Sequence, residues 1–370
     1  MKTRGAILEE IGRERPYAES TPISISDVEL AEPGPTEILV KIEAAGICHS
    51  DLSVVDGNRV RPVPMLLGHE SAGKVVQLGS EVTDLKVGQR LVMTFLPRCG
   101  ECDACLTDGK LPCAPGSVAN NEGVLMSGAK PITRDGDPIY THLGVSGFAG
   151  YAVVDRRSVV PVDDDVPPEI AAVLGCAVLT GGGAVINAAD PQPGESLMIV
   201  GLGGVGMAAL ITAVGREVDR IIAVDTLDSK LEQAREIGAH ETYTPQQVLE
   251  DGIKADHVVE CAGNAKAFET AFKATRSGGR TVTVGLPAPD AVSQITPLTI
   301  TAEARTVIGS YLGSAVPSRD IPTYAEMWRS GKLPVEKLIS RRIGLDQINE
   351  AMDELAEGRA VRQVILMDEE

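Results

Sequence analysis

Short apolar runs bounded by glycine and proline dominate the first half of the chain: EILVKIEAAG, HESAGKVVQLGSEV, GQRLVMTFL and YAVVDRRSVVPV. Apolar runs of about four to eight residues between turn formers predict strands, so residues 1–175 read as an irregular β-rich region. From about residue 176 the pattern changes. SLMIV, RIIAVD, DHVVECA, RTVTVG and RTVIGSY read as buried strands. Helical stretches separate them, such as DSKLEQAREIGA, with Gly238 as its stop, and AKAFETAFKATRSGG. Strands alternating with helices predict a parallel sheet covered on both faces. Past about residue 312 the pattern is mixed again, closing on a helical DQINEAMDELAEG and a strand RQVILM.

Ser196–Gly215 runs for twenty residues without a charge, long enough to cross a bilayer. Four of its five glycines cluster near its start, where they weaken a helix. A buried strand, a glycine turn and a buried helix account for it better. The length of 370 residues predicts two domains, and 43% hydrophobic with 23% charged residues is ordinary for a soluble globular protein. A net charge of −18 with no basic run argues against nucleic-acid and membrane partners. MKTRGAILEEIGRERPY has no secretory pattern, so reduced thiols and a cytoplasmic location are expected.

Six of the seven cysteines sit in metal-like contexts. Cys99, Cys102, Cys105 and Cys113 are spaced C-x2-C-x2-C-x7-C, a set that closes one tetrahedral thiolate cage around a structural zinc. Cys48, His69 and Cys176 are dispersed in the frames GICHSD, GHE and LGC. Two thiolates and an imidazole leave a tetrahedral zinc one open corner, although taken singly each cysteine reads more readily as core packing and the histidine as structural. Cys261, in VVECAGN, reads as core packing, and His142, His240 and His257 as structural.

Gly201-Leu-Gly203-Gly204-Val205-Gly206 matches G-x-G-x-x-G between a strand and a helix. Gly201 suits the tight turn, Gly203 the approach of a pyrophosphate, and Gly206 close helix–strand packing. Asp225, nineteen residues past Gly206, ends the next strand where a carboxylate accepts ribose hydroxyls. It also repels a 2′-phosphate, so NAD is favoured over NADP.

Together these residues resemble the zinc-containing medium-chain alcohol dehydrogenase family. The shared motifs are GICHSD, GHE, the four-cysteine lobe, Cys176, GLGGVG with Asp225, and GRAVRQV, spread over nearly the whole chain. The Cys48-to-His69 spacing and the long segment from Cys113 to Tyr151 look most like the dimeric, liver-type branch. The resemblance implies an α/β fold: a Rossmann doubly wound parallel-sheet cofactor domain, 178–311, inserted into a β-rich GroES-like catalytic domain, 1–177 plus 312–370. It implies two zincs per chain, NAD, and reversible hydride transfer between a primary or secondary alcohol and its aldehyde or ketone. A homodimer is expected, with a homotetramer as the alternative.

Carried over by position, Cys48, His69 and Cys176 hold the catalytic zinc, with Asp51 behind His69 and Glu70 behind the metal. Ser50 bonds the alcohol oxygen. His49 and Arg362 meet the pyrophosphate, Lys230 the adenosine ribose, and Thr180 and Val205 the nicotinamide. Phe95, Phe148, Leu286, Tyr311 and Arg59 line the substrate pocket. Two departures from the family stand out. Ser53 replaces the histidine that ends the proton relay, leaving water or His49 to complete it. Gly57, Arg59 and Ser117 replace the residues that recognise a glutathione adduct. The same motifs also fit a nicotinoprotein that retains NAD and uses an external acceptor, which cofactor surviving gel filtration distinguishes. A non-catalytic NAD-binding protein is the rival from another class; the presence of all three dispersed ligands argues against it.

Overall fold

The long apolar run Glu37–Ile47 becomes the strand around which the first compact unit is organised. The computed structural model describes residues 1–108 and 111–367; Gly109 and Lys110 of the four-cysteine run lie outside the described residues. One unit comprises Met1–Cys176, Pro317–Ala325 and Ile339–Glu370, the other Ala177–Val316 and Glu326–Leu338. Segment 326–338 thus packs with the cofactor unit, although the sequence grouped it with the catalytic part. Lys332 explains why: its carbonyl lies 2.0 Å from where a Gly215 Cβ would stand, so only a glycine there admits the segment.

In the first unit a closed barrel runs through Lys2–Leu8, Ile23–Leu30, Ile132–Arg134, Asp137–Thr141 and Met65–Leu66. A second sheet places Glu37–Ile47 between Glu70–Leu78 and Arg362–Leu366, with Tyr151–Asp155 also pairing on it. Its register sets Gly46 opposite both Glu70 and Val364, and Ile47 opposite Gln363. The chain's widely separated GHE and GRAVRQV motifs are therefore brought to the end of one strand, where Cys48 begins. Apolar clusters fill the spaces between strands, one of them around Ile47, Leu67, Phe148, Ile348 and Ile365.

The second unit holds six parallel strands: β1 Ser196–Val200, β2 Arg220–Val224, β3 Glu241–Tyr243, β4 Ala255–Glu260, β5 Thr275–Thr283 and β6 Thr306–Gly309. Their order is β3-β2-β1-β4-β5-β6, the doubly wound arrangement that reverses between β1 and β4. Every residue of β1 and β4 is buried, as expected of strands covered on both faces. Ser196–Gly215 folds as strand, turn and helix, the helix being Gly204–Gly215. The helix in AKAFETAFKATRSGG stops earlier than the sequence suggested, at Ala274. Ser277, Gly278 and Gly279 instead form an irregular stretch of β5, where pairing with β4 skips from Thr275 to Arg280. Among the described residues one helical run, Pro168–Ala189, is long and apolar enough to cross a membrane, and most of it is buried within the protein.

Candidate active site

Cys48 leaves the end of strand Glu37–Ile47 and starts the helix His49–Val55, with Asp51 in its first turn. Asp51 Oδ2 accepts the Cys48 N–H at 3.0 Å, satisfying a donor that a helix start leaves open. Its Oδ1 lies 3.0 Å from His69 Nδ1, fixing the ring so that Nε2 points to the Cys176 sulphur at 3.5 Å. Cys176 arrives on Leu174–Val178, a wider-wound turn of the long helix. The ligand atoms of Cys48, His69 and Cys176 all fall within 4.8 Å of one another, and all three residues are buried.

Those distances suit one small cation. Ligands at about 2.3 Å (sulphur) and about 2.05 Å (nitrogen) around a tetrahedral zinc stand about 3.6 Å apart, and two sulphurs about 3.8 Å apart. The observed Cys176–His69 distance is 3.5 Å, and Cys99 and Cys105 sulphurs in the lobe are 3.8 Å apart. The four lobe thiols also gather within 4.8 Å, and the N–H groups of Cys99 and Cys102 donate to the sulphurs of Cys113 and Cys99. Arg98 reaches the Ala104 carbonyl, and Arg319 binds Asp108 at 2.7 Å, bracing the lobe on both sides.

The buried groups of the site perturb one another strongly. A hydrogen bond from Cys176, with help from Arg362 and His69, pulls the Cys48 thiol well below its usual range, whereas the Cys176 thiol is pushed up by the same contact and by burial. Burial alone would raise Asp51, but the two histidines hold it down at about 2. Glu70 goes the other way: burial raises it to about 7 despite the Arg362 guanidinium, 3.5 Å from its Oε1. Gly46 makes room for this carboxylate, since a Cβ there would stand 2.2 Å from Glu70 Oε1. In the lobe, backbone donors from Cys105 and Ala114 lower Cys102 to about 6, while burial lifts Cys105 to about 12.

His142 was read from sequence as structural, yet its Nδ1 lies 3.2 Å from the same Asp51 Oδ1 and its ring meets His69 edge-on. No local motif marks it: Thr141, its neighbour in sequence, pairs with Leu66 in the barrel, and this brings the His142 ring to that of His69. Phe95 packs edge-on against His69 at 5.6 Å. Phe148 is fully buried in the apolar cluster around Leu67. Arg362 is buried, its Nη1 donating to the Ile47 carbonyl at 2.8 Å. Ser50 and Arg59 are half-buried and His49 exposed; the Ser53 hydroxyl donates to the Ser50 carbonyl, and the Arg59 N–H to the Ser53 carbonyl.

In the cofactor unit, Gly201 has φ of +90°, and a Cβ on Gly206 would stand 1.8 Å from its carbonyl oxygen, so both positions demand glycine. Gly203 and Gly204 open the helix, and a Cβ on Gly203 would meet nothing within 4 Å, which leaves its backbone approachable. Asp225 Oδ2 accepts the Leu202 N–H at 2.7 Å, tying the end of β2 to the glycine turn. Val205 and Lys230 are half-buried and Thr180 is buried, whereas Leu286 is exposed and Tyr311 half-buried.

Residues 34–164 match the alcohol dehydrogenase GroES-like domain, and residues 204–330 the zinc-binding dehydrogenase domain. An alcohol dehydrogenase 1 of Pisum sativum is 33% identical, covering 100% of this chain and 98% of its own. The chain belongs to the zinc alcohol dehydrogenase family. An S-(hydroxymethyl)glutathione dehydrogenase of Escherichia coli is 32% identical over 99% of this chain and 100% of its own. The crystal structure of a benzyl alcohol dehydrogenase from Acinetobacter calcoaceticus superimposes with a TM-score of 0.90 at 28% identity, covering 100% of both chains. As a zinc alcohol dehydrogenase the protein is an oxidoreductase built from a GroES-like part and a Rossmann-type cofactor part.

Proposed function

We propose that this alcohol dehydrogenase oxidises primary or secondary alcohols with NAD, reversibly, and holds two zincs per chain. The convergence of Cys48, His69 and Cys176 at metal-ligand distances carries the reading. Bound zinc supplies a Lewis acid for the alcohol oxygen, and bound NAD supplies the hydride acceptor. Asp51 keeps His69 in the tautomer that leaves Nε2 free to ligate. Ser50 accepts the proton of the substrate hydroxyl and passes it outward through water or His49, with Ser53 engaged on the Ser50 carbonyl. The four lobe cysteines form a closed set with no position for substrate. Glu70 and Arg362 form a buried charge pair behind the ligands, and in this reading Arg362 and His49 also meet the pyrophosphate.

Asp225, with no arginine at Thr226 or Leu227, supports NAD over NADP. Gly57, Arg59 and Ser117 argue against a glutathione adduct as substrate. Phe95, Leu286 and Tyr311 remain the proposed pocket residues; Phe148, fully buried in the apolar cluster around Leu67, packs the core instead. Cytoplasmic location and a homodimer complete the proposal, the latter checked by light scattering.

Reduction of NAD, followed by absorbance over primary, secondary and aromatic alcohols with metal analysis in parallel, tests the reading. Turnover with NAD in zinc-loaded protein supports it; its absence over the whole panel refutes it. A Ser50→Ala variant should lose about 100-fold or more in kcat, the scale of general acid–base assistance. Undiminished turnover across pH would remove Ser50 from the relay.

A further inference from the structure

The turn that follows β4 is built around a buried carboxylate. Glu260, the last residue of β4, is 1% exposed. Its Oε1 accepts the Gly263 N–H at 2.6 Å and its Oε2 the Thr283 hydroxyl at 2.9 Å. One carboxylate thus ties the turn Cys261-Ala262-Gly263 to the end of β5. The Glu260 carbonyl adds to the link by accepting the N–H groups of Val284 and Gly285. Burial raises the pKa of this side chain, opposed by donors on Gly263, Thr283 and Ala262 and by no lysine or arginine. A buried acid held only by neutral donors is costly to keep, and such costs concentrate at functional places.

Its location gives the cost a purpose. Strand order reverses between β1 and β4, and the glycine turn and the 261–263 turn leave from their adjoining carboxyl ends. Dinucleotides bind beyond the strand ends at such a reversal. The Cys261 N–H donates to the Val200 carbonyl at 2.8 Å. A Cβ on Gly201 would stand 2.7 Å from Ala262, and one on Gly206 would come 3.5 Å from the Cys261 Cβ. The two turns are flush, and Glu260 sets where the second one stands.

We propose that Glu260 is a positioning residue for the dinucleotide: by pinning the 261–263 turn between the glycine turn and the end of β5, it shapes one wall of the cofactor site without touching the reacting atoms. The inference rests on the NAD reading above. Glu260→Ala removes both links and should raise KM for NAD and Kd for NADH about tenfold, while kcat changes less than about threefold. Glu260→Gln keeps an acceptor for Gly263 and a polar contact to Thr283, and should stay within about threefold of the parent in all three constants.

NADH binding is read by fluorescence, and melting temperatures are recorded without cofactor. A merely structural role lowers the melting temperature and the active fraction, hence apparent kcat, and leaves KM in place. Unchanged KM and Kd in folded Glu260→Ala overturn the inference. If that variant does not fold, Thr283→Val decides, since it removes one donor only: a rise of about threefold in KM for NAD supports the inference, and no rise overturns it. Parent protein that binds no NADH refutes the NAD reading and this inference with it. Parent binding with insensitive variants refutes this inference alone.

Discussion

Asp51 shows how much one side chain can organise. It accepts from the Cys48 N–H and lies within hydrogen-bonding reach of both His69 and His142, so one carboxylate orients two of the three candidate ligands. Asp51→Asn replaces an acceptor oxygen with a donor and should weaken zinc retention about 10–100-fold. Chelator competition measures this directly; unchanged retention would mean that packing alone orients His69. Cys48, His69 and Cys176 stand out in the sequence because each lies in a recognisable frame. His142 does not, since its role depends on a neighbour far away in sequence. Glu260 is hidden from local pattern for a related reason: a terminal strand acid looks exposed until the sheet is assembled.

At the scale of elements, the four-cysteine lobe is a short segment whose described residues between the second and fourth cysteines form one three-residue helical turn, Cys105–Thr107. With so little regular structure, a metal held by its four thiols would set its shape together with the Arg98 and Arg319 contacts. Cys102→Ser should lose lobe zinc and lower the melting temperature while the kcat of the remaining folded protein stays within about threefold. A variant that keeps its stability but loses turnover would reverse the roles of the two zinc sets. The strands and helices of the cofactor unit were readable from periodicity, because buried parallel strands are apolar throughout and the helices between them carry stop signals. The end of helix Ala265–Ala274 is not visible in the sequence, since Arg276 and Ser277 carry no stop signal of their own. Pairing of Thr275 with Ala255 claimed the following residues for β5.

At the scale of the whole molecule, stability against acid follows from carboxylates held in place by folding. Burial alone would raise Asp353, but the N–H groups of Ala18 and Tyr17 and the Arg15 guanidinium hold it below the usual range. Asp256 is lowered in the same way by Ser196 and Arg276. Groups whose folded pKa lies below the unfolded value of about 3.9 contribute stability that is present above that pH and lost as pH falls through the folded value. The melting temperature should therefore drop below about pH 4, and Asp353→Asn should be less stable near neutrality with a flatter acid limb. Parallel pH curves for parent and variant would discount Asp353. The sequence by itself determined the candidate chemistry: which side chains have metal-ligand type and spacing, which turn carries the glycine pattern of a dinucleotide site, and which family the chain resembles, because ligand type and local spacing are written in short motifs. Only the tertiary structure decided what surrounds that chemistry. The Glu70–Arg362 pair, His142 beside Asp51, the place of segment 326–338 and the carboxylate under the 261–263 turn all arise from contacts between residues brought together by sheet register and barrel closure, which no local pattern encodes.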